Sequence, residues 1–265
     1  MYSSGITSYG ASTIVAARHG RDNVTLLFAD TLNEDEDNYR FNRDVEKQLD
    51  IPITVVCDGR TPQQVLRDRR WIGNARIAPC SHLLKQVPAR RWLEANCDPA
   101  STVLYVGLDA YEPERVETNR RMWKPWRVEF PLTEPPYYPK EHWLREAKKV
   151  GLEPPAMYAY GFPHANCGGA CIRAGQGQWG HLLNPALPPR FGDNFRSWET
   201  FEQSMQAELN TESAILRDRR NNATIPLPLT VLRQRVEQSQ DTADLFDADD
   251  WGGCGCFTEV PEVPA

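Results

Sequence analysis

The side chains best suited to chemistry in this 265-residue chain lie near its two ends. At the start, Ser3-Ser4-Gly5-Ile6-Thr7-Ser8 sets four hydroxyls and a glycine ahead of a small-residue stretch, Ala11-Ser12-Thr13-Ile14-Val15-Ala16-Ala17, that reads as a helix. A Ser/Gly loop opening a helix binds anions, because the first-turn N–H groups lack intrahelical partners and the helix dipole favours negative charge there. Phosphate or sulfate is the matching ligand. The apolar run Val24-Thr25-Leu26-Leu27-Phe28-Ala29 follows and ends in Asp30-Thr31. An acid at the C-terminal end of a strand stands where open α/β sheets bind their ligands. Taken alone, a loop of this kind is more often a turn, so its weight comes from the strand and acid behind it.

The second chemistry is that of thiols. Three of the seven cysteines look incidental or belong elsewhere: Cys57 ends an apolar strand, Cys97 ends a helix, and Cys80 opens a segment taken up below. The other four form two close pairs, Cys167/Cys171 in Asn166-Cys167-Gly168-Gly169-Ala170-Cys171 and Cys254/Cys256 in Cys254-Gly255-Cys256. In a reducing compartment such pairs are not read as disulfides. Close pairs separated by a long stretch are what a zinc site or a 4Fe-4S cluster requires, and spacing does not choose between the two. The plainer alternative is two unrelated pairs of small apolar residues, which the surrounding glycines disfavour. A helix starting near Gly168 would turn Cys167 and Cys171 to one side. Cys80 is a fifth candidate for the same centre, or a replacement for one of the four. His164 is a neighbour of that site and His82 a phosphate contact, whereas His19, His142, His181, Arg173 and Gln176 read as surface or core positions.

These groups need elements to position them. Strands are predicted at 23–29, 51–56, 102–106 and 127–130, alternating with helices at 36–49, from Pro62, at 81–95 with a break at Pro88, and at 113–122. That alternation argues for an α/β fold with a parallel, helix-flanked sheet. Thr61 before Pro62 is a helix start, with the threonine as N-cap. Pro131 to Pro139 reads as an extended loop and 140–150 as a short helix. Beyond Gly151 the βα rhythm stops, and helices are predicted at 169–184, 194–209 and 230–240. The expected organisation is a nucleotide-binding domain over 1–150, a mostly helical, cysteine-containing module over 151–257, and a disordered tail over 258–265.

Composition narrows the class. Hydrophobic residues make up 40% and charged residues 25%, values of an ordinary globular protein rather than a membrane or disordered one. No segment has the apolar length to span a bilayer, and no basic-then-apolar leader opens the sequence, so a cytoplasmic location is expected. The formal charge of -6 comes from seven acids in 241–265, a stretch without Lys or Arg. Residues 60–127 hold 13 Lys/Arg against 7 Asp/Glu, an excess that would suit phosphates or a nucleic acid, or simply a solvated face. The eight tryptophans are scattered as core residues are and form no base-stacking ladder.

The order of the motifs resembles the PP-loop superfamily, which includes the ATP pyrophosphatases and the phosphoadenosine phosphosulfate reductases. Ser3–Ser8 is similar to the phosphate loop, Ser-Gly-Gly-x-Asp-Ser in the former and Ser-Ser-Gly-Ile in the latter. Phe28-Ala29-Asp30-Thr31 resembles the strand capped by Asp-Thr. Cys80-Ser81-His82-Leu83-Leu84-Lys85-Gln86-Val87-Pro88 looks like the family's Cys-(Cys/Thr/Ser)-x-x-x-Lys-x-x-Pro segment. Gly107-Leu108-Asp109-Ala110-Tyr111-Glu112-Pro113-Glu114-Arg115 resembles its Gly-x-Arg-x-x-Glu-x-x-Arg element. The resemblance spans residues 3–115, with a looser Asn-Cys-Gly-Gly-x-Cys likeness further on. It implies a nucleotide site at Ser3, Ser4, Gly5, Ile6, Thr7, Ser8, Asp30, Lys85, Gly107 and Arg115, taking ATP or a related adenine nucleotide with magnesium. The implied chemistry is adenylation of a substrate or sulfur-transfer/reductase chemistry, with a nucleic acid or a sulfur-donor protein as partner.

The departures shape that expectation. Thr7 stands where the pyrophosphatase loop has Asp, and Asp109 where the later element has its first Arg. The paired cysteines of iron–sulfur reductases become Cys80-Ser81, and the reductases' C-terminal Glu-Cys-Gly-(Ile/Leu)-His motif is absent. Only Met1 and Tyr2 precede the loop, so the strand expected before it is vestigial or encoded upstream. These differences favour adenylation over sulfonate reduction. They also sustain an alternative, a non-catalytic nucleotide- or nucleic-acid-binding protein with a structural metal.

Overall fold

In a computed structural model the chain is described at residues 1–74, 77–109, 113–218, 224–239 and 251. Its first half alternates as the hydrophobic rhythm predicts: α1 (Ile6–His19), β1 (Leu26–Asp30), α2 (Glu36–Leu49), β2 (Ile53–Cys57), α3 (Pro62–Asp68), α4 (Val87–Asn96), β3 (Val103–Tyr105), α5 (Pro113–Met122), β4 (Arg127–Glu129) and α6 (Lys140–Lys149). The helix starts follow capping chemistry. Asp35 caps α2 by accepting from the Asp37 N–H, and Thr61 and Gln64 form a reciprocal capping box around Pro62 in α3.

The fold is mixed α/β with parallel strand pairs. β1 runs parallel to β2 from Leu26↔Ile53 to Asp30↔Cys57, and β3 runs parallel to β4 from Val103↔Arg127 to Tyr105↔Glu129. The two pairs are separate sheets. Between them Tyr2 makes an isolated parallel bridge to Phe28, its N–H bonding the Leu27 carbonyl at 2.9 Å. α1 packs against α6 so closely that a Cβ on Gly10 would lie 2.5 Å from the Trp143 ring, which is why glycine stands there.

Pro88 does not break the helix at 81–95. It sits in the first turn of α4, and the irregularity falls upstream as a π-helical turn over Ser81–Gln86. There the Val87 N–H reaches back to the His82 carbonyl. The wider turn accommodates the donor that proline lacks.

The second half adds α7 (Ala156–Ala159), α8 (Gln176–His181), α9 (Pro189–Leu209), an antiparallel hairpin of β5 (Leu216–Asp218) and β6 (Ile225–Leu227), and α10 (Leu229–Gln238). The hairpin is an addition to the mostly helical module expected, and it went unread because two three-residue strands leave too little alternation. The helix expected over 169–184 is also replaced. Cys167, Gly168 and Gly169 take φ of 51°, 53° and 82°, left-handed values that an α-helix of L-residues does not sustain. Helix resumes only at Gln176. The core here gathers Trp179, Phe191, Phe195, Trp198, Met205, Leu229 and Leu232, and it draws in Leu66, Ile72 and Ala78 from the first half. Among the described residues no helix is long and apolar enough to cross a membrane.

Candidate functional site

The Ser3–Ser8 loop is shaped from within. The Ser8 hydroxyl donates to the Gly5 carbonyl at 2.8 Å and accepts the Ser3 N–H at 3.2 Å. Ser4 is turned to φ 59° and is fully buried, and its Oγ has no hydrogen-bond partner. Gly5 is the N-cap of the 14-residue α1 and offers no side-chain cap. The Ile6 N–H is taken by the Tyr158 hydroxyl at 3.0 Å. The result is a helix N-terminus with its Ile6 N–H taken and the Ser4 hydroxyl buried; neither Ser4 nor Ile6 lines the cavity there.

Ser3, Gly5, Thr7 and Ser8 line one cavity of about 100 Å³ together with Lys85, Gly107 and Arg115. Residues from three separate motifs therefore converge on the start of α1. Met1, Tyr158, His164 and Asn166 complete the wall. Gly107 is needed for this closure: a Cβ there would stand 3.0 Å from the Thr7 carbonyl and 3.2 Å from the Ser8 nitrogen. Asp30 lies elsewhere. Its carboxylate accepts from the Tyr39 hydroxyl and the Leu32 N–H, both at 2.8 Å, and it faces a different hollow with Asn42, Arg43 and Glu46. Burial and the Asp30 carboxylate both push the Tyr39 phenol well above its usual pKa.

Glu34 was not legible as a site residue. Its side chain is 2% exposed and lies 3.4 Å from the ammonium of Lys85, itself 7% exposed. The same carboxylate accepts the Thr31 hydroxyl at 3.1 Å and the Cys167 N–H at 2.9 Å. Nearby, Asn33 and Asn38 donate to the carbonyls of Cys167 and Ala165. The loop after β1 thus ties the cavity at the Ser3–Ser8 loop to the glycine–cysteine turn more than a hundred residues later.

That turn lines a second, small cavity of about 20 Å³, where Cys80, Cys167 and Cys171 meet with Lys85, Arg173 and Trp198. Lys85 borders both cavities. Among the described residues no three His, Cys, Asp or Glu side chains are grouped as ligands of a single ion. Cys254 and Cys256 lie outside the described residues. Arg173, expected on the surface, is buried here. His164 borders the Ser3–Ser8 cavity and does not line the small cavity with the thiols, and His82 pairs with the Gln86 side chain at 2.9 Å.

Several of the basic residues in 60–127 are held in ion pairs. Arg60 bonds Asp58 and Asp68, Arg67 bonds Glu208, and Arg120 and Arg127 pair with Glu117 and Glu129. A solvated, paired face is the better reading of that charge.

No protein-family model matches the sequence, and no curated protein matches it.

Proposed function

We propose that the cavity at the start of α1 holds the phosphates of ATP or a sulfonucleotide, and that the chain is an enzyme of the PP-loop type. The observation that carries this reading is the convergence of Ser3, Gly5, Thr7, Ser8, Lys85, Gly107 and Arg115 on one helix N-terminus. First-turn N–H groups other than that of Ile6, with the hydroxyls of the lining residues Ser3 and Thr7, would bind phosphate oxygens, and Arg115 and Lys85 would offset charge developing on the transferred group. In the adenylation reading a substrate oxygen attacks the α-phosphorus, the α–β bridge breaks, and pyrophosphate leaves with magnesium. The reductase reading, thiol attack on a sulfonate, lacks its C-terminal thiol motif in this sequence. Labelled ATP with magnesium should yield AMP and pyrophosphate once the acceptor, a nucleic acid or a sulfur donor, is supplied. Arg115→Ala should weaken nucleotide binding about tenfold, roughly the loss of one charge-assisted contact.

The second reading is a non-catalytic nucleotide- or nucleic-acid-binding protein. Thr7 and Asp109 favour it, as does the Tyr158 hydroxyl already seated on the Ile6 N–H. Nucleotide binding with no turnover under any acceptor would select it, and no binding at all would remove both.

The thiols belong to the same proposal. Cys167 and Cys171, with Cys254 and Cys256, would hold zinc or a 4Fe-4S cluster, and Cys80 borders the same cavity as a further donor. Thiolates are the donors both groups prefer. Trp251 supports the tail's return: its carbonyl accepts the Gly175 N–H at 3.1 Å, and its ring lies 5.2 Å from that of His181. When bound, such a centre would supply structural closure or a sulfur-binding iron. Elemental analysis and the absorption spectrum of anaerobically purified protein test this. Protein without zinc or iron would overturn it.

A further inference from the structure

Part of the wall of the cavity at the start of α1 comes from the other half of the chain, where Tyr158, His164 and Asn166 line it together with Lys85 and Arg115. Tyr158 is fixed there from several directions. It belongs to α7, a helix of only four residues, whose Ala156 N–H donates to the Asp37 carboxylate of α2 at 2.7 Å. The preceding Met157 is fully buried. The half-buried Tyr158 side chain packs against two cores at once, the one around α9 and the one between α1, α2 and α6. Its hydroxyl oxygen accepts the Ile6 N–H at 3.0 Å. That oxygen sits so close to the Ser3–Ser8 loop that a Cβ on Gly5 would lie 3.3 Å from it. Glycine at position 5 thus makes room for a phenol.

We propose that the Tyr158 hydroxyl is an anion-binding group of this cavity: it takes the Ile6 N–H and gives its own O–H to an oxygen of the seated phosphate. The inference rests on the reading of the cavity as a phosphate site, in either its catalytic or its non-catalytic form. A phenol carries one proton, and an oxygen that accepts an N–H cannot turn that proton back toward the same nitrogen. The face of the phenol that lines the cavity is where an oxyanion meets it. Accepting from the first N–H of a helix polarises the phenol, and a polarised hydroxyl is a better donor. The helix N-terminus is therefore extended by one hydrogen bond rather than closed. The phosphate then sits about 3 Å farther from Ile6 than it would if it bound that N–H directly. A ring already held by two cores needs little ordering when the ligand arrives, which favours affinity. The phosphate seat on this reading belongs to both halves of the chain and is not complete within residues 1–150.

Calorimetric titration of the full chain with ATP and, separately, with inorganic phosphate tests the assignment. Tyr158→Phe keeps the ring between the two cores and removes only the hydroxyl. It should weaken both ligands about tenfold, the loss of one hydrogen bond to a charged group. Unchanged affinity would overturn the proposal. So would tighter binding through the freed Ile6 N–H, which would make the phenol a competitor of the anion and not its ligand. Tyr158 replaced by 3-fluorotyrosine keeps the hydroxyl and serves where Tyr158→Phe does not fold. Its fluorine resonance should shift as phosphate is added and stay in place with chloride at equal ionic strength. A resonance that does not move at saturating phosphate would also overturn the proposal. A wild-type chain that binds neither ATP nor phosphate removes the phosphate site and this assignment with it. Wild-type binding that Tyr158→Phe leaves intact removes the assignment alone.

Discussion

Two glycine-containing loops border the candidate site, and they are held in opposite ways. Ser3–Ser8 is folded by its own side chain, the Ser8 hydroxyl bonding both Gly5 and Ser3. The Asn166–Cys171 turn is folded from outside, by Glu34, Asn33 and Asn194 reaching its backbone. Among the described residues the first loop also takes one bond from outside, the Tyr158 hydroxyl on the Ile6 N–H, whereas the second draws its main-chain bonds mainly from distant side chains.

The comparison predicts unequal responses to mutation. Glu34→Ala should have the largest effect, destabilising the fold by about 4 kcal/mol, because it removes a buried partner of Lys85 and an acceptor for Thr31 and Cys167. Urea unfolding measures the loss, and faster thiol labelling of Cys167 with unchanged exchange at Ser8 would localise it to the second loop. Equal loosening of both loops would erase the distinction drawn here.

Gly169→Ala should cost about 3 kcal/mol. The new Cβ would stand 2.8 Å from Leu182 and Phe162 at a φ of 82°, combining overpacking with a left-handed backbone. A chemical-denaturation midpoint unchanged from wild type would refute the geometry of the turn.

The second loop's scaffold also has a pH response. Burial raises the Glu202 carboxyl to about 7, although it accepts the Ile215 and Leu229 N–H groups at 2.8 and 2.6 Å. A carboxyl raised above its unfolded value favours the protonated folded state. Stability is therefore greatest below pH 4.5, falls as the pH rises to about 7, and is level above. The contribution of this group is on the order of 2–3 kcal/mol. Glu202→Gln should flatten that slope in denaturation curves taken between pH 5 and 7.

Smaller effects are expected at the first loop. Gly107→Ala should cost about 2 kcal/mol, since its Cβ would press on the Thr7 and Ser8 backbone, and nucleotide affinity should fall with it. Ser8→Ala should cost only about 1 kcal/mol, the worth of an ordinary hydrogen bond. If Ser8→Ala proved as damaging as Glu34→Ala, the two loops would not differ in how they are held.

Much of the first half was legible because its signals are local. The helix over 36–49 appears as Glu36–Leu49, Thr61 caps α3, and the four strands fall within a few residues of their apolar runs. The convergence of Lys85, Gly107 and Arg115 on the Ser3–Ser8 loop was readable from motif order, not from periodicity. Glu34 was not readable, since a single acid near a helix cap carries no mark of a partner at Cys167. The π turn at Ser81–Gln86 and the hairpin at β5/β6 were missed for a related reason: each is a short irregular element stabilised by its neighbours.

The sequence by itself determined most elements of the first half, because hydrophobic periodicity, caps and prolines act within a turn or two of the chain. It also determined which side chains were available for chemistry: hydroxyls at one end, thiols toward the other. Only the tertiary structure decided which of them meet. It set Lys85 between the two cavities, drew Cys80 beside Cys167 and Cys171, turned Asp30 toward Tyr39, and seated the Tyr158 hydroxyl on the Ile6 N–H. Those outcomes depend on packing between residues tens to more than a hundred positions apart, where contact energies and not local propensity select the arrangement.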